Sequence, residues 1–165
     1  MRRSALIAIL AAYLGLAGAF AVMETVFERL PHLEDEIAFI YQARIFAGGR
    51  VYIQSPKPAR VFWQPFVIDC TDADDEEFGI NCDGKRFGKY PPGWPLLLAI
   101  GFLAELEWVL NPLFFSLTIA LTYRLGREVF DERVGVVAAI LLAASPIALL
   151  HSGSWMSHPS ALFFT

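Results

Sequence analysis

Long apolar runs separated by polar segments dominate the pattern of this chain. Three such runs occupy positions 4–23, 112–130 and 134–150, and the third contains Pro146. A helix needs about 20 predominantly apolar residues to cross a bilayer, and a proline inside a helix bends or breaks it. We therefore predict three membrane-spanning helices at these positions, the third kinked at Pro146. A fourth apolar run starts at Ser160 and is cut off where the chain stops, so we expect the sequence to be a fragment.

The arginines predict how these helices are oriented. Arg2 and Arg3 precede the first run. Arg124, Arg127 and Arg133 gather at the far end of the second run, just before the third. Because basic residues favour the cytoplasmic side, residues 24–94 are predicted to form a long loop outside the cytoplasm. The segment 95–108 has only about ten apolar residues, which favours an interfacial or re-entrant helix over a span. A signal peptide cleaved near Ala17-Gly18-Ala19 is the weaker alternative to the first span.

Composition supports a membrane protein and limits the possible partners. The chain is 56% hydrophobic and 14% aromatic, with a mean hydropathy of +0.48, which is unusual for a soluble domain. The formal net charge is −4, and the lack of a basic stripe argues against a nucleic-acid partner. Cys70 and Cys82 lie in the most hydrophilic segment, where they either pair or remain thiols.

No metal site or cofactor is predicted, although a requirement for a divalent metal stays open. The acidic run at 69–77 superficially resembles a calcium-binding loop, but the glycine and terminal glutamate of such a loop are out of register. A solvated loop is therefore favoured. The three histidines show no metal-ligand spacing.

The segment 31–50 is the first candidate for chemistry. It places Glu34, Asp35 and Glu36 at the start of an otherwise apolar helix that Gly48-Gly49 ends. A helix that is apolar on all sides is buried or lies in lipid, where a carboxylate is costly unless it has a partner or a function. Asp35 and Gln42 are predicted to share a face, with Ala38 as a gap that a substrate could use. Acids in a first turn also stabilise the helix dipole without any catalytic role.

Basic residues and a proline turn form the second candidate. Lys85, Arg86 and Lys89 precede Tyr90-Pro-Pro-Gly-Trp94-Pro95 at the head of an apolar helix. Tyrosine and tryptophan suit the headgroup level of a bilayer, and lysine or arginine there is often only an interfacial cation. Between the two candidates, residues 51–53 and 61–63 are predicted to be short extended segments.

Five stretches resemble, in order and spacing, the polytopic glycosyltransferases of the GT-C fold, specifically those similar to protein O-mannosyltransferases and aminoarabinose transferase. They are residues 31–50, 89–101, 108–112, 125–132 and 152–159. The resemblance implies an all-α polytopic membrane protein, the N-terminal part of a GT-C bundle. It also implies transfer of a sugar from a polyprenyl-phosphate carrier to an acceptor hydroxyl outside the cytoplasm, with inversion, at a bacterial-type inner membrane.

The resemblance also implies roles for individual residues. Asp35 matches the proposed general base, with Glu36 beside it, and Lys89 matches a lysine that contacts the donor phosphate. Lys85, Arg86 and Tyr90 are further candidates for substrate binding. The expected partners are the lipid-linked donor, an unknown hydroxyl acceptor and membrane lipids.

Two other classes of protein compete with this prediction. One is a non-catalytic membrane protein, such as a transporter piece or an assembly subunit, and the other is an inactive truncated product. A transporter tends to place ionisable residues near the midplane of broken helices, whereas the predicted spans here are nearly free of charge. The ionisable groups at the outer surface favour chemistry on a lipid-linked substrate.

Overall fold

The computed structural model describes residues 3–69 and 84–165, and this part of the chain is mostly helical. Its α-helices are α1 (Arg3–Thr25), α2 (Glu34–Ala47), α3 (Gly93–Ala104), α4 (Leu110–Val129), α5 (Glu132–Ala143), α6 (Pro146–Gly153) and α7 (His158–Phe164). Two 3-10 helices cover Ala59–Phe62 and Glu107–Val109. The predictions for Cys70, Cys82 and the acidic residues after Asp69 fall outside the described residues.

Within the described residues, two helices are long and apolar enough to cross a membrane. They are Arg3–Thr25 and Glu107–Val129, which cover the first two predicted spans. The mostly helical fold is thus confirmed, and the two candidate spans are consistent with a membrane protein. The third predicted span is divided into α5 and α6, which meet at an angle of 57°. Pro146 opens α6, and the Ser145 hydroxyl accepts a hydrogen bond from the amide of Ala148 at 3.5 Å. The predicted kink at Pro146 is therefore confirmed.

The contacts divide the chain into two compact units, Met1–Pro31 with Trp108–Thr165, and His32–Glu107. In the first unit, α1, α4 and α5 pack through small and aromatic side chains. Buried alanines of α1 lie against Phe115, Ile119 and Tyr123 of α4. Small residues let helix backbones approach closely, which is the usual basis of packing between membrane helices.

Two glycines bring the backbones of α4 and α5 close together. A Cβ built on Gly126 of α4 would lie 2.7 Å from the Cα of Gly135 in α5. A Cβ on Gly135 would lie 2.5 Å from the carbonyl oxygen of Tyr123. Backbone atoms cannot move aside as a flexible side chain can, so the crossing of α4 and α5 requires these glycines.

The turn between α6 and α7 is fixed by α4. The buried amide of Asn111 donates hydrogen bonds to the carbonyl oxygens of Ser154 at 2.7 Å and Met156 at 2.8 Å. Asn111 itself lies in the first turn of α4, which starts at Leu110 after Val109. The rings of His151 and His158 stack with centroids 4.3 Å apart across this turn.

The second unit adds a small sheet that the all-α prediction lacked. Strands β1 (Ile53–Gln54), β2 (Val67–Asp69) and β3 (Lys85–Gly88) pair antiparallel in the order β1-β3-β2. Helix α2 packs on α3 and on β3. The prediction of an extended segment at 61–63 was wrong, because Val61 and Phe62 belong to the 3-10 helix Ala59–Phe62.

Replacing Gly135 with alanine should destabilise the first unit by about 1–3 kcal/mol, as overpacking of a tight contact does. The added methyl group would collide with the backbone of Tyr123. Gly93→Ala is the matched control, because a Cβ there meets nothing within 4 Å. The free energy of unfolding in detergent measures the difference. Equal stability of the two variants would contradict the packing described for α4 and α5.

Candidate functional site

Asp35 lies in the first turn of α2, and a tyrosine from outside this helix holds its carboxylate. The hydroxyl of Tyr90 donates a hydrogen bond to Oδ1 of Asp35 at 2.6 Å. Tyr90 lies just beyond the end of β3, where the chain turns towards α3. Two of the residues predicted to form the site are therefore brought together by the packing of β3 on α2.

Two phenylalanines hold the ring of Tyr90 in place. The ring centroid of Phe39 lies 4.8 Å from that of Tyr90, and the centroid of Phe66 lies 5.7 Å from it. Phe39 follows Asp35 by one helical turn, so both belong to one face of α2. Sequence reasoning missed both phenylalanines. The four-residue spacing from Asp35 could have placed Phe39 near the site, whereas nothing in the sequence pointed to Phe66.

Lys89 belongs to the same cluster through Phe66. Its ammonium group lies 5.2 Å from the centre of the Phe66 ring, within the range of a cation–π interaction. Its backbone amide donates to the carbonyl oxygen of Phe66 at 2.9 Å. Asp35, Tyr90 and Lys89 are thus connected through contacts of the two phenylalanines, and the side chain of Lys89 remains exposed.

Phe66 adopts a conformation that is unusual for its residue type. Its φ is +60°, which costs roughly 1–2 kcal/mol for a residue with a Cβ. The hydrogen bond from Lys89 and the two ring contacts hold it there. Strained residues often occur at functional sites, so this backbone outlier agrees with a functional role for the cluster.

Burial raises the pKa of the Tyr90 hydroxyl to about 12, and the hydrogen bond to Asp35 and the charge of that carboxylate act in the same direction. The phenol therefore stays protonated over the physiological range and remains a donor to Asp35. One oxygen of the carboxylate is oriented by this bond.

Glu36 stabilises the start of α2. Its side chain is only 1% exposed, and Oε2 accepts hydrogen bonds from the backbone amides of His32 at 2.7 Å and Leu33 at 3.2 Å. A glutamate at the third helical position commonly caps in this way. The side chain of Glu36 is thus buried and serves the helix start, and its catalytic role stays a prediction.

The predicted substrate gap at Ala38 is filled by protein. Ala38 is buried, and β3 crosses α2 there, since a Cβ built on Gly88 would lie 3.2 Å from the Ala38 carbonyl oxygen. Gln42 bridges the two elements, because its Oε1 accepts from the Gly88 amide at 2.7 Å. This face of α2 thus positions the strand, and the prediction of an open gap was wrong.

The other two basic candidates make different contacts. Arg86 is 5% exposed, pairs with Asp69 at 3.5 Å and donates a hydrogen bond to the carbonyl oxygen of Phe62. Its guanidinium also lies 5.6 Å from the ring centre of Tyr41. The ammonium group of Lys85 lies 5.1 Å from the ring centre of Tyr52. These contacts direct both side chains to partners outside the cluster of Asp35 and Tyr90.

Among the described residues, no group of three or more histidine, cysteine, aspartate or glutamate side chains is arranged to hold a metal ion. Comparison with protein-family models, curated proteins and solved structures finds no match for this chain. The resemblance to GT-C glycosyltransferases therefore stays a prediction from the sequence motifs.

Glu36→Ala should lower the free energy of unfolding by roughly 1–2 kcal/mol, because two amides at the start of α2 lose their acceptor. Glu36→Gln keeps an acceptor oxygen and should lose less. Glu34→Ala is the control, since Glu34 is exposed in the same turn. Chemical unfolding of all three variants measures the effect, and an equal loss for Glu34→Ala and Glu36→Ala would contradict the capping role.

Tyr90 should be among the last tyrosines to ionise when the pH is raised. Its raised pKa stabilises the fold below pH 10, and this contribution is lost as the pH rises towards about 12. In Asp35→Asn the carboxylate charge is gone, so Tyr90 should ionise at lower pH. The ultraviolet absorbance of tyrosinate measures the ionisation of the tyrosines as the pH is raised. The titration step that disappears in Tyr90→Phe belongs to Tyr90. An unchanged step in Asp35→Asn would contradict the hydrogen bond.

Proposed function

We propose that this chain is an integral membrane glycosyltransferase, or its N-terminal part, that uses a polyprenyl-phosphate-linked sugar as donor. The observation that supports this best is the oriented carboxylate of Asp35, held by Tyr90 in a cluster that also contacts Lys89. By the motif resemblance, Asp35 is at the position of the general base and Lys89 at that of the lysine that contacts the donor phosphate.

In the proposed reaction, Asp35 is the general base. As an acceptor hydroxyl attacks the anomeric carbon, a new C–O bond forms and the bond from that carbon to the phosphate oxygen breaks. The phosphate leaves with the bonding electron pair, and the hydroxyl proton moves to Asp35. Attack opposite the leaving group inverts the anomeric centre. Tyr90 already donates to Oδ1, which leaves Oδ2 to receive the acceptor proton.

Lys89 is proposed to stabilise the departing phosphate. A cation fixed near the leaving group offsets its growing negative charge. The ammonium group lies 5.2 Å from the centre of the Phe66 ring, and the side chain of Lys89 is exposed. An exposed cation beside the cluster supports a role in binding an anionic ligand.

The other candidates take supporting roles in this proposal. Glu36 fixes the first turn of α2, from which Asp35 projects, and Arg86 fixes β3, from which the chain reaches Tyr90. Lys85 is assigned to the interfacial surface of the same strand. The rings of Phe39 and Phe66 pack beside Tyr90. The proposed role of Tyr90 is therefore to position Asp35 and not to stack on a sugar.

The proposed membrane placement follows from the distribution of charge. The unit His32–Glu107 would lie outside the cytoplasm, as the first outer segment of a GT-C bundle in a bacterial-type inner membrane. Helix α3 is apolar but has only 12 residues, so it is proposed to be interfacial or re-entrant. The sugar, the acceptor and any metal requirement are left open.

Asp35→Asn should reduce sugar transfer by about 10²–10⁴-fold while leaving binding of the lipid-linked donor nearly unchanged, because the base acts on the acceptor. Sugar transfer is measured with a radiolabelled sugar in membranes that contain the full encoded protein. Binding of the lipid-linked donor is measured by pull-down. Glu34→Gln is the control, since Glu34 is an exposed acid of the same turn and should keep normal transfer.

Lys89→Ala should act in the opposite way: it should weaken binding of the lipid-linked donor, because it removes the cation proposed to contact the donor phosphate. The exposed Arg124 of α4 provides the control variant Arg124→Ala. If Asp35→Asn keeps full turnover, the base assignment is wrong. If the wild-type protein transfers no sugar from any polyprenyl-phosphate donor, a non-catalytic membrane protein becomes the better interpretation.

A further inference from the structure

The segment 50–63 presents an apolar and aromatic surface that the transfer reaction does not use. Val51, Val61 and Trp63 are 70%, 72% and 73% exposed, and the rings of Tyr52 and Phe62 are exposed as well. Single exposed apolar residues are common, but a set of them in one short segment marks an interaction site. We call these five residues the apolar rim.

The backbone beneath the apolar rim is fixed by buried polar groups. The carbonyl oxygen of Val51 accepts a hydrogen bond from Nε2 of Gln42 at 2.9 Å, and that of Phe62 accepts one from Arg86. Both Gln42 and Arg86 are at least nine-tenths buried. The apolar side chains therefore project from a backbone that is anchored to α2 and β3.

Basic residues accompany the apolar rim. Between positions 50 and 68 the charged residues are Arg50, Lys57 and Arg60, with no acid among them. Arg50 and Lys57 are exposed. Lys85 adds a fourth cation from β3, because its ammonium group lies over the ring of Tyr52 at 5.1 Å. Aromatic and apolar side chains with lysine and arginine around them are the composition of surfaces that lie in the interface of an anionic bilayer.

Short connections join this unit to both candidate membrane spans. His32 comes shortly after Thr25, the last residue of α1, and Glu107 begins the second candidate span. If these helices cross the membrane as proposed, both ends of the unit are tethered to it by short connections. A surface held near lipid by two tethers needs little intrinsic affinity to remain bound, since its effective concentration at the bilayer is high.

We propose that the apolar rim is a membrane-docking surface that inserts into the headgroup region and pairs Arg50, Lys57 and Lys85 with anionic lipid headgroups. The aromatic rings would lie at the level where tryptophan and tyrosine are favoured, and each nearby cation would contribute through attraction to the negative surface. The proposed docking does not depend on sugar transfer, because the apolar rim consists of other residues than the cluster of Asp35, Tyr90 and Lys89.

Trp63 allows a direct test on the full chain. The protein is reconstituted into nanodiscs of phosphatidylcholine alone or with phosphatidylglycerol, in which part of the lipid carries bromine on the acyl chain close to the headgroup. The chain has four tryptophans, so the signal of Trp63 is the difference between the wild type and Trp63→Tyr. We expect bromolipids to quench this signal in the anionic discs and to quench it at least twofold less in neutral discs or at high salt.

Charge reversal tests the role of the cations. Lys57→Glu should reduce the bromolipid quenching of Trp63, whereas Arg124→Glu, which changes the same charge on an exposed residue of α4, should not. Quenching that is equal in neutral and anionic discs would overturn the pairing with anionic headgroups. A signal quenched by aqueous iodide instead would show a water-facing surface, and a signal quenched by neither agent would show that protein covers it. Both results would overturn the proposal.

Discussion

The close approach of strand β3 to helix α2 is the constraint on which the candidate site depends. A side chain at position 88 would meet Cβ of Gln42 at 3.0 Å and the carbonyl oxygen of Ala38 at 3.2 Å. With glycine there, Gln42 closes the contact by accepting from the Gly88 amide and donating to the Val51 carbonyl. Tyr90 follows two residues later, so this approach brings its hydroxyl within 2.6 Å of Asp35.

Strand β3 also separates two kinds of electrostatic environment. Successive side chains of a strand point to opposite faces. Arg86 is buried and meets Asp69 and the ring of Tyr41, whereas Lys85 lies over Tyr52 beside the apolar rim. Burial of an arginine requires partners for its charge and its donors, so Arg86 serves the fold. Lys85 and Lys89 keep their charges at the surface, where an anionic headgroup or phosphate can bind.

The sequence predicted the features that depend on local pattern. Helix α2, the first two candidate spans and the break at Pro146 follow from apolar run length and from the chemistry of proline. The pairing of Asp35 with Tyr90 depends on a sheet whose strands are two to four residues long. Strands this short have no usable periodicity, and β1 meets β3 across a separation of more than thirty positions. The contact of Phe66 with Tyr90 was unpredictable for the same reason.

The burial of Glu36 and Arg86 shows a second limit of sequence reasoning. Both belong to charged runs that look solvated, and only the tertiary contacts reveal that one caps α2 and the other anchors the segment before Trp63. Lys89 differs from them, because its position next to the proline turn leaves its side chain exposed. The distinction between structural and ligand-binding charges therefore depends on contacts between distant segments.

A double-mutant cycle on the rate of sugar transfer tests most directly the claim that Tyr90 acts by orienting Asp35. The rates of the wild type, Asp35→Asn, Tyr90→Phe and the double variant are compared under saturating donor. If Tyr90 acts through the carboxylate, Tyr90→Phe should slow the wild type but cause almost no further loss in Asp35→Asn. Fully additive losses would show that the two residues act separately and would contradict this account of the site.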